Sequence, residues 1–96
     1  MEAEIRGIIE NLIDELISEK KLSIIFRSME FFEPLVISKP DAVFGYIIAR
    51  TLGSFVDYYR DIYDREPTDS EIEACLTILR DRANRIMSIL KIFSNR

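Results

Sequence analysis

The sequence has no histidine and no tryptophan, and it contains one cysteine, three glycines and three prolines in 96 residues. The absence of histidine removes the commonest general base and the commonest transition-metal ligand, and it excludes every histidine-dependent catalytic triad. No glycine-rich phosphate loop is present, and the lone Cys75 can form no intrachain disulfide. We therefore expect neither a catalytic residue nor a cofactor, and the free thiol indicates a reducing, cytoplasmic location.

Long apolar runs are also missing, since no stretch approaches the roughly 18 residues that a membrane span needs. The first residues are acidic and amphipathic, which is not typical of a signal peptide. The net charge of −4 argues against a general nucleic-acid binder, because such a protein needs cations to neutralise phosphates. Apolar residues make up 48% of the chain, so we expect one globular domain over residues 1–96. Abundant arginine and absent glutamine are typical of a thermophilic source.

Apolar residues recur with helical spacing in the first block of the chain, residues 3–33. They form two sets whose phases disagree by more than a quarter turn, and no glycine or proline separates the sets. Two interpretations are open at this point. The helix breaks near Glu19–Lys21 and folds back, or one long helix turns its two halves toward different partners. The difference in phase favours the break.

The rest of the chain predicts a long antiparallel helical hairpin, with helices at about 41–65 and 69–93. Ser38 precedes Pro40 as a capping serine before an early proline, and Thr68 with Glu71 matches the reciprocal capping pattern T-x-x-E. Between the first block and the hairpin, the segment "PLVISKP" is a short apolar connector that crosses the end of the bundle. The predicted fold is an all-α bundle of about four helices, in which the hairpin packs on an N-terminal helical pair.

Each hairpin helix carries an apolar stripe that we expect to be buried. In the first helix the predicted stripe consists of Phe44, Ile48, Leu52, Phe55, Tyr59 and Ile62. In the second helix a seam with alternating steps of four and three predicts burial of Ile72, Leu76, Leu79, Ala83, Ile86, Leu90 and Phe93. Beside the first stripe lie Gly45, Ala49 and Gly53. Two glycines inside a helix cost about 1 kcal/mol each relative to alanine, so this spacing predicts a close helix crossing.

Apolar residues outside these stripes exceed what a chain of this length can readily hide. The short second helix is apolar nearly all round, and the last helix has a second apolar strip. We therefore expect a protein–protein interaction or oligomerisation module without catalytic activity, acting as a homodimer or with another protein. The expected interface residues are Ile24, Phe31, Tyr46, Tyr58, Ile78, Ile89 and Ile92.

Two other functions are weighed against this one. Asp57, Asp61 and Asp64 share one helix face and could hold Mg²⁺ in a nucleotide hydrolase of an all-α type. Arg60 and Arg65 lie at pairing distance from these acids, however, which favours a surface lattice of ion pairs and no metal site. The second alternative is a nucleic-acid adaptor that uses the basic residues of the C-terminal third, Arg80, Arg82, Arg85, Lys91 and Arg96. These cations fall on two flanks of the helix, so nucleic acid is an unlikely partner.

Overall fold

Four α-helices make up a computed structural model of the chain, which describes residues 3–95. They are α1 (Ala3–Leu16), α2 (Glu19–Phe31), α3 (Lys39–Tyr63) and α4 (Asp69–Ser94), and no strand occurs within the described range. The molecule is a rod of 41 × 22 × 21 Å. The helices α3 and α4 form the antiparallel hairpin, and α1 and α2 pack against it. The predicted all-α bundle is confirmed.

The first block is two helices, as the favoured interpretation held. The break lies at Ile17 and Ser18, which is slightly earlier than the predicted position. Ser18 has an extended backbone, and its side-chain oxygen accepts a hydrogen bond from the Lys21 N–H at 3.4 Å. A capping serine supplies one of the acceptors that the first turn of a helix lacks. Ser18 therefore starts α2 without any glycine or proline.

Both predicted caps of the hairpin helices are present. The Ser38 hydroxyl accepts from the Asp41 N–H at 3.5 Å. The Thr68 hydroxyl accepts from the Glu71 N–H at 3.2 Å, and the Glu71 carboxylate accepts from the Thr68 N–H at 2.8 Å. Between the helices, Asp64 has a left-handed backbone with φ of 53°, and its N–H donates to the Arg60 carbonyl at 3.0 Å. This residue ends α3 and lets the chain reverse.

The buried stripe of α3 differs from the prediction. The helix contacts all three other helices, and its buried residues are Val43, Ile47, Thr51, Phe55 and Tyr59. Phe55 and Tyr59 are buried as predicted, but the prediction for Phe44, Ile48 and Leu52 is wrong by one residue, or about 100° around the helix. These three are only partly buried, and Ile62 is exposed. Two apolar strips lie side by side on α3, and the strip that all three neighbours can reach is the one that is buried.

The seam of α4 is predicted correctly only in part. The buried residues of this helix are Cys75, Ile78, Leu79, Ile86 and Leu90, whereas Leu76 is 38% exposed. Because α4 contacts α1 as well as α3, it buries residues on two sides. Ile78, which the sequence assigns to an open interface strip, is only 2% exposed and belongs to the core. We therefore correct that assignment.

Within residues 3–95, no close helix crossing occurs at the small residues of α3. Gly45, Ala49 and Gly53 are all exposed. A Cβ built on either glycine would meet no atom within 4 Å. The small-residue face of α3 therefore points away from the rest of the described chain, and a crossing there would need another molecule.

One buried polar group gives a direct test of the packing. Thr51 is fully buried, and its hydroxyl has no hydrogen-bond partner among residues 3–95. It lines a cavity of about 30 Å³ with residues of α1 such as Ile5 and Ile9. Replacing Thr51 by valine keeps the shape and removes the unpaired hydroxyl, so we expect the free energy of unfolding to rise by about 1 kcal/mol. Urea denaturation followed by circular dichroism measures the change.

The control for this experiment is Thr51→Ala, which also removes a methyl group and enlarges the cavity. We expect this variant to be less stable than the valine variant. A valine variant that is less stable than the parent chain would contradict the assignment, because it would mean that the hydroxyl has a stabilising partner.

Candidate functional site

The three aspartates proposed as metal ligands do not converge. Asp57 lies 3.8 Å from the guanidinium of Arg60, and Asp64 sits at the left-handed residue that ends α3. Within residues 3–95, no three Asp, Glu or Cys side chains are arranged so that they could hold a metal ion. The structure therefore brings no carboxylate cluster together at this position.

The end of α3 carries a clamp that closes the hairpin. The Arg65 guanidinium donates two hydrogen bonds to the Glu71 carboxylate, at 2.8 and 3.0 Å. The same guanidinium lies over the rings of Tyr59 and Tyr63, at 5.4 and 5.6 Å from the centroids. Two parallel hydrogen bonds between Arg and a carboxylate are stronger than neutral ones, and stacking on aromatic rings adds to them. We define these residues, with the Thr68 cap, as the hairpin clamp.

The clamp shifts the ionisation of its members. Hydrogen bonds from Arg65 and then from the Thr68 N–H hold the pKa of Glu71 well below its usual range. Burial, followed by a hydrogen bond to Glu71, raises the pKa of Tyr59 to about 12. A surface cavity of about 520 Å³ opens beside these groups. Because the Arg65 guanidinium and the Glu71 carboxylate already hydrogen-bond to each other, we assign the hairpin clamp a structural role.

The basic residues of α4 do not form one surface. Arg82 is partly buried and donates to the Glu10 carbonyl at 3.1 Å and to the Asp14 carboxylate, so it joins α4 to α1. Arg80 and Arg85 are exposed, and Arg96 lies outside the described residues. An arginine that holds two helices together is not available for a phosphate. The geometry therefore gives no observation in favour of the nucleic-acid adaptor.

The largest apolar exposure lies where the chain leaves α2 and enters α3. Four large apolar side chains within seven residues are exposed there: Phe31 by 84%, Phe32 by 54%, Leu35 by 83% and Ile37 by 96%. We call these four residues the apolar tip. They lie at the end of the rod where α4 also ends, since Ser94 lines the same surface cavity as Ile37. Such a cluster is typical of an interaction site and not of a random surface.

The apolar tip is an ordered structure. The N–H groups of Phe32, Glu33 and Leu35 donate to carbonyls three residues earlier, at 2.8 to 3.2 Å. The rings of Phe31 and Phe32 meet edge to face, with centroids 5.4 Å apart. The Lys39 ammonium lies 2.6 Å from the Glu33 carboxylate and 3.9 Å from that of Glu30. Hydrogen bonding to Glu33 raises the pKa of Lys39. The charges at the base of the tip are thus largely neutralised.

A second apolar feature runs along the open side of the hairpin. It is a groove of about 370 Å³, and the residues that line it are Phe44, Ile48, Leu76, Leu79, Arg80 and Ala83. We call it the hairpin groove. Five of these six residues are apolar, and the five all belong to the stripes that the sequence predicted to be the interior of the hairpin. Phe44 and Ile48, which the sequence analysis assigned to the interior, therefore form a concave surface together with the exposed Leu76.

The predicted interface residues divide into two groups. Ile24, Phe31, Tyr46 and Ile92 are exposed, whereas Ile89 and Tyr58 are partly buried against the core and Ile78 is fully inside it. Only Phe31 belongs to the apolar tip. Sequence reasoning did not identify the other three members of the tip, Phe32, Leu35 and Ile37. The available signal was the connector itself, an apolar stretch without helical spacing between two prolines.

The hairpin clamp predicts a pH dependence of stability. Because the folded pKa of Glu71 is depressed, the unfolded chain binds more protons once the pH falls below about 4.3. The stability contributed by ionised Glu71 is therefore fully present above that pH and is lost as the pH falls further. We expect Glu71→Gln to lower the urea midpoint at pH 7, and we expect its difference from the parent chain to shrink below about pH 4.

The matched control is Glu73→Gln, two residues further along α4, where the carboxylate has no partner within the described part of the chain. This variant should keep the midpoint of the parent chain at both pH values. If Glu71→Gln and the parent chain lose stability in parallel on acidification, the clamp does not supply the pH dependence.

Cys75 offers a test of the core. The residue is fully buried, and burial raises the pKa of its thiol to about 11. At pH 8 roughly one thiol in a thousand is then ionised, and the thiolate is the reactive form. We expect a disulfide reagent to label the folded chain very slowly and to label the chain rapidly in urea. Fast stoichiometric labelling of the folded chain would contradict the placement of Cys75.

No helix within residues 3–95 combines the length and the apolar character that crossing a membrane requires. Comparison of the chain with models of known protein families, with curated proteins and with solved structures gives no match. Two features of this chain, the apolar tip and the hairpin groove, are therefore its candidate functional surfaces.

Proposed function

We propose that the chain is a non-catalytic protein interaction module that assembles as a homodimer through its apolar tip. The observation that carries the proposal is the exposure of Phe31, Leu35 and Ile37, each by more than four fifths. Large apolar side chains that remain in water in the folded monomer gain free energy when another surface covers them. Several large apolar side chains exposed close together in the chain are typical of a docking site.

The apolar area that the tip exposes is large enough to support association. At about 200 Å² for an aromatic side chain, the two phenylalanines of the tip alone expose on the order of 250 to 300 Å². Covering that area corresponds to a gross gain of roughly 7 kcal/mol at about 25 cal/mol per Å². Part of this gain is lost to the entropy of association, so the aliphatic side chains Leu35 and Ile37 are needed as well.

The order of the tip also favours binding. Three local hydrogen bonds hold its backbone as far as Leu35, and Ile37 directly precedes the Ser38 cap of α3. A segment that is already fixed in shape loses little conformational freedom when it binds. The ion pairs of Lys39 with Glu33 and Glu30 leave few uncompensated charges to desolvate nearby. Both features reduce the cost of burying the tip against a partner.

The direct test is the molar mass in solution. Size-exclusion chromatography with light scattering at tens of micromolar should give about twice the chain mass of 11.2 kDa. The double variant Leu35→Ser, Ile37→Ser should be monomeric at the same concentration. Burial of each such side chain contributes about 1.5 to 3 kcal/mol, so each loss should weaken the dissociation constant by at least about tenfold.

Ile62→Ser is the matched control, because it removes an exposed isoleucine near the opposite end of α3. It should keep the dimer mass. Both serine variants should retain the helical circular dichroism of the parent chain, since the substituted residues are exposed. Ile62→Ser should also keep the melting temperature, whereas the tip variant should melt at a lower temperature because it loses the stabilisation that dimerisation gives to the folded chain. A parent chain that remains an 11.2 kDa monomer over the whole concentration range would overturn the homodimer.

A further inference from the structure

We propose that the hairpin groove of a second copy of this chain is the surface that receives the apolar tip. The inference rests on the proposed function, and it specifies which two surfaces meet. The tip is an exposed apolar cluster and the groove is a concave apolar surface, and both belong to the same molecule. A two-fold symmetric dimer can then contain the contact twice, with the tip of each copy in the groove of the other.

The groove has room for the tip. A cavity of about 150 Å³ lined by apolar side chains binds a benzene molecule. The hairpin groove, at about 370 Å³, can therefore hold roughly two large side chains. Its walls are apolar, with Phe44 and Ile48 on one side and the partly exposed Leu76 on the other. Large apolar side chains of the tip would find only one charged neighbour among the lining residues, Arg80.

Charge also favours this pairing. The base of the tip holds two carboxylates, Glu30 and Glu33, which share Lys39 as ion-pair partner within residues 3–95, and the exposed cation Arg27 lines the same surface cavity as Glu30. Arg80 is exposed at the groove, and it makes no ion pair within residues 3–95. Opposite charges at the edge of an interface steer association and fix its orientation. Arg80 of one copy can therefore pair with Glu30 or Glu33 of the other, because these two carboxylates share the one ammonium of Lys39.

The geometry of the rod permits two such contacts in one dimer. Leu79, at the floor of the groove, is about 15 residues from the end of α4, which is roughly 20 Å from the tip at 1.5 Å per residue. Since the rod is 41 Å long, two antiparallel copies that overlap by half their length place each tip near the groove of the other.

The area is also close to what a stable dimer needs. An overlap of about 20 by 20 Å covers on the order of 400 Å² per copy, and the tip adds on the order of 300 Å². The sum approaches the roughly 800 Å² per partner of a standard interface. A contact confined to the tip would fall well below that value, so the groove side of the hairpin is needed to complete the interface.

The test is a complementation experiment with two variants. The tip variant is Leu35→Ser, Ile37→Ser, and the groove variant is Leu76→Glu, which places a carboxylate in the apolar wall four residues before Arg80. A second groove variant, Arg80→Glu, changes only an exposed side chain and keeps the measurement possible if Leu76→Glu does not fold. Each variant alone should be monomeric or at least tenfold weaker in sedimentation equilibrium. The tip variant mixed one to one with a groove variant should form a heterodimer, because one intact tip then meets one intact groove.

The mixed dimer should be weaker than the parent dimer, because it has one contact where the parent has two. If the parent chain dimerises but mixing restores nothing, the inference is overturned while the proposed function stands. Loss of the dimer in Ala49→Glu together with full association of the tip variant would overturn both the inference and the proposed dimer through the tip, since the small-residue face of α3 would then be the interface. A monomeric parent chain would instead remove the proposed function on which the inference rests.

Discussion

The structure depends on how α3 is turned within the bundle. This helix contacts the other three, and it can present only one stripe of side chains to all of them. The stripe it buries runs through Val43, Ile47 and Thr51. That choice includes a hydroxyl without a partner in the described chain and turns Gly45, Ala49 and Gly53 outward. It also leaves Phe44 and Ile48 at the edge of the hairpin, where with Leu76 they form the groove. The concave surface is thus a consequence of the packing of α3.

The tip follows from a different constraint, the short distance between two helix ends. Seven residues, 32–38, must join the end of α2 to the Ser38 cap of α3 while they cross the end of a bundle about 22 Å wide. The backbone of a connector of this length is held against the helix ends, so its large side chains project away from the core. Leu35 and Ile37 consequently remain in water, as does Phe31 at the end of α2. A monomer gains nothing from apolar residues at these positions, whereas an interacting surface does.

The sequence predicted the parts of this fold that depend on local chemistry. The helices, the Thr68–Glu71 cap and the connector at the end of the bundle follow from residues close together in the chain, and so does the favoured break near Ser18. It did not predict which face of α3 is buried. Two apolar strips lie one residue apart on this helix, and only its contacts with the three neighbouring helices determine which strip is buried. Ile78 was assigned to the surface for the same reason, since the contact of α1 with α4 is not visible in a single helix pattern. The exposed tip was not predicted, because in a non-helical segment no periodic spacing in the sequence distinguishes side chains that point outward from those that point inward.

The central claim is that the tip of one copy lies in the groove of another. The most direct measurement is an isotope-filtered nuclear Overhauser experiment on a mixture of ¹³C-labelled and unlabelled chains, which detects only contacts between copies. The account predicts cross-peaks that join protons of Leu35 or Ile37 in one copy to the methyl groups of Ile48 and Leu76 in the other. Intermolecular cross-peaks that join the tip to another surface, with none between the tip and the groove, would contradict it.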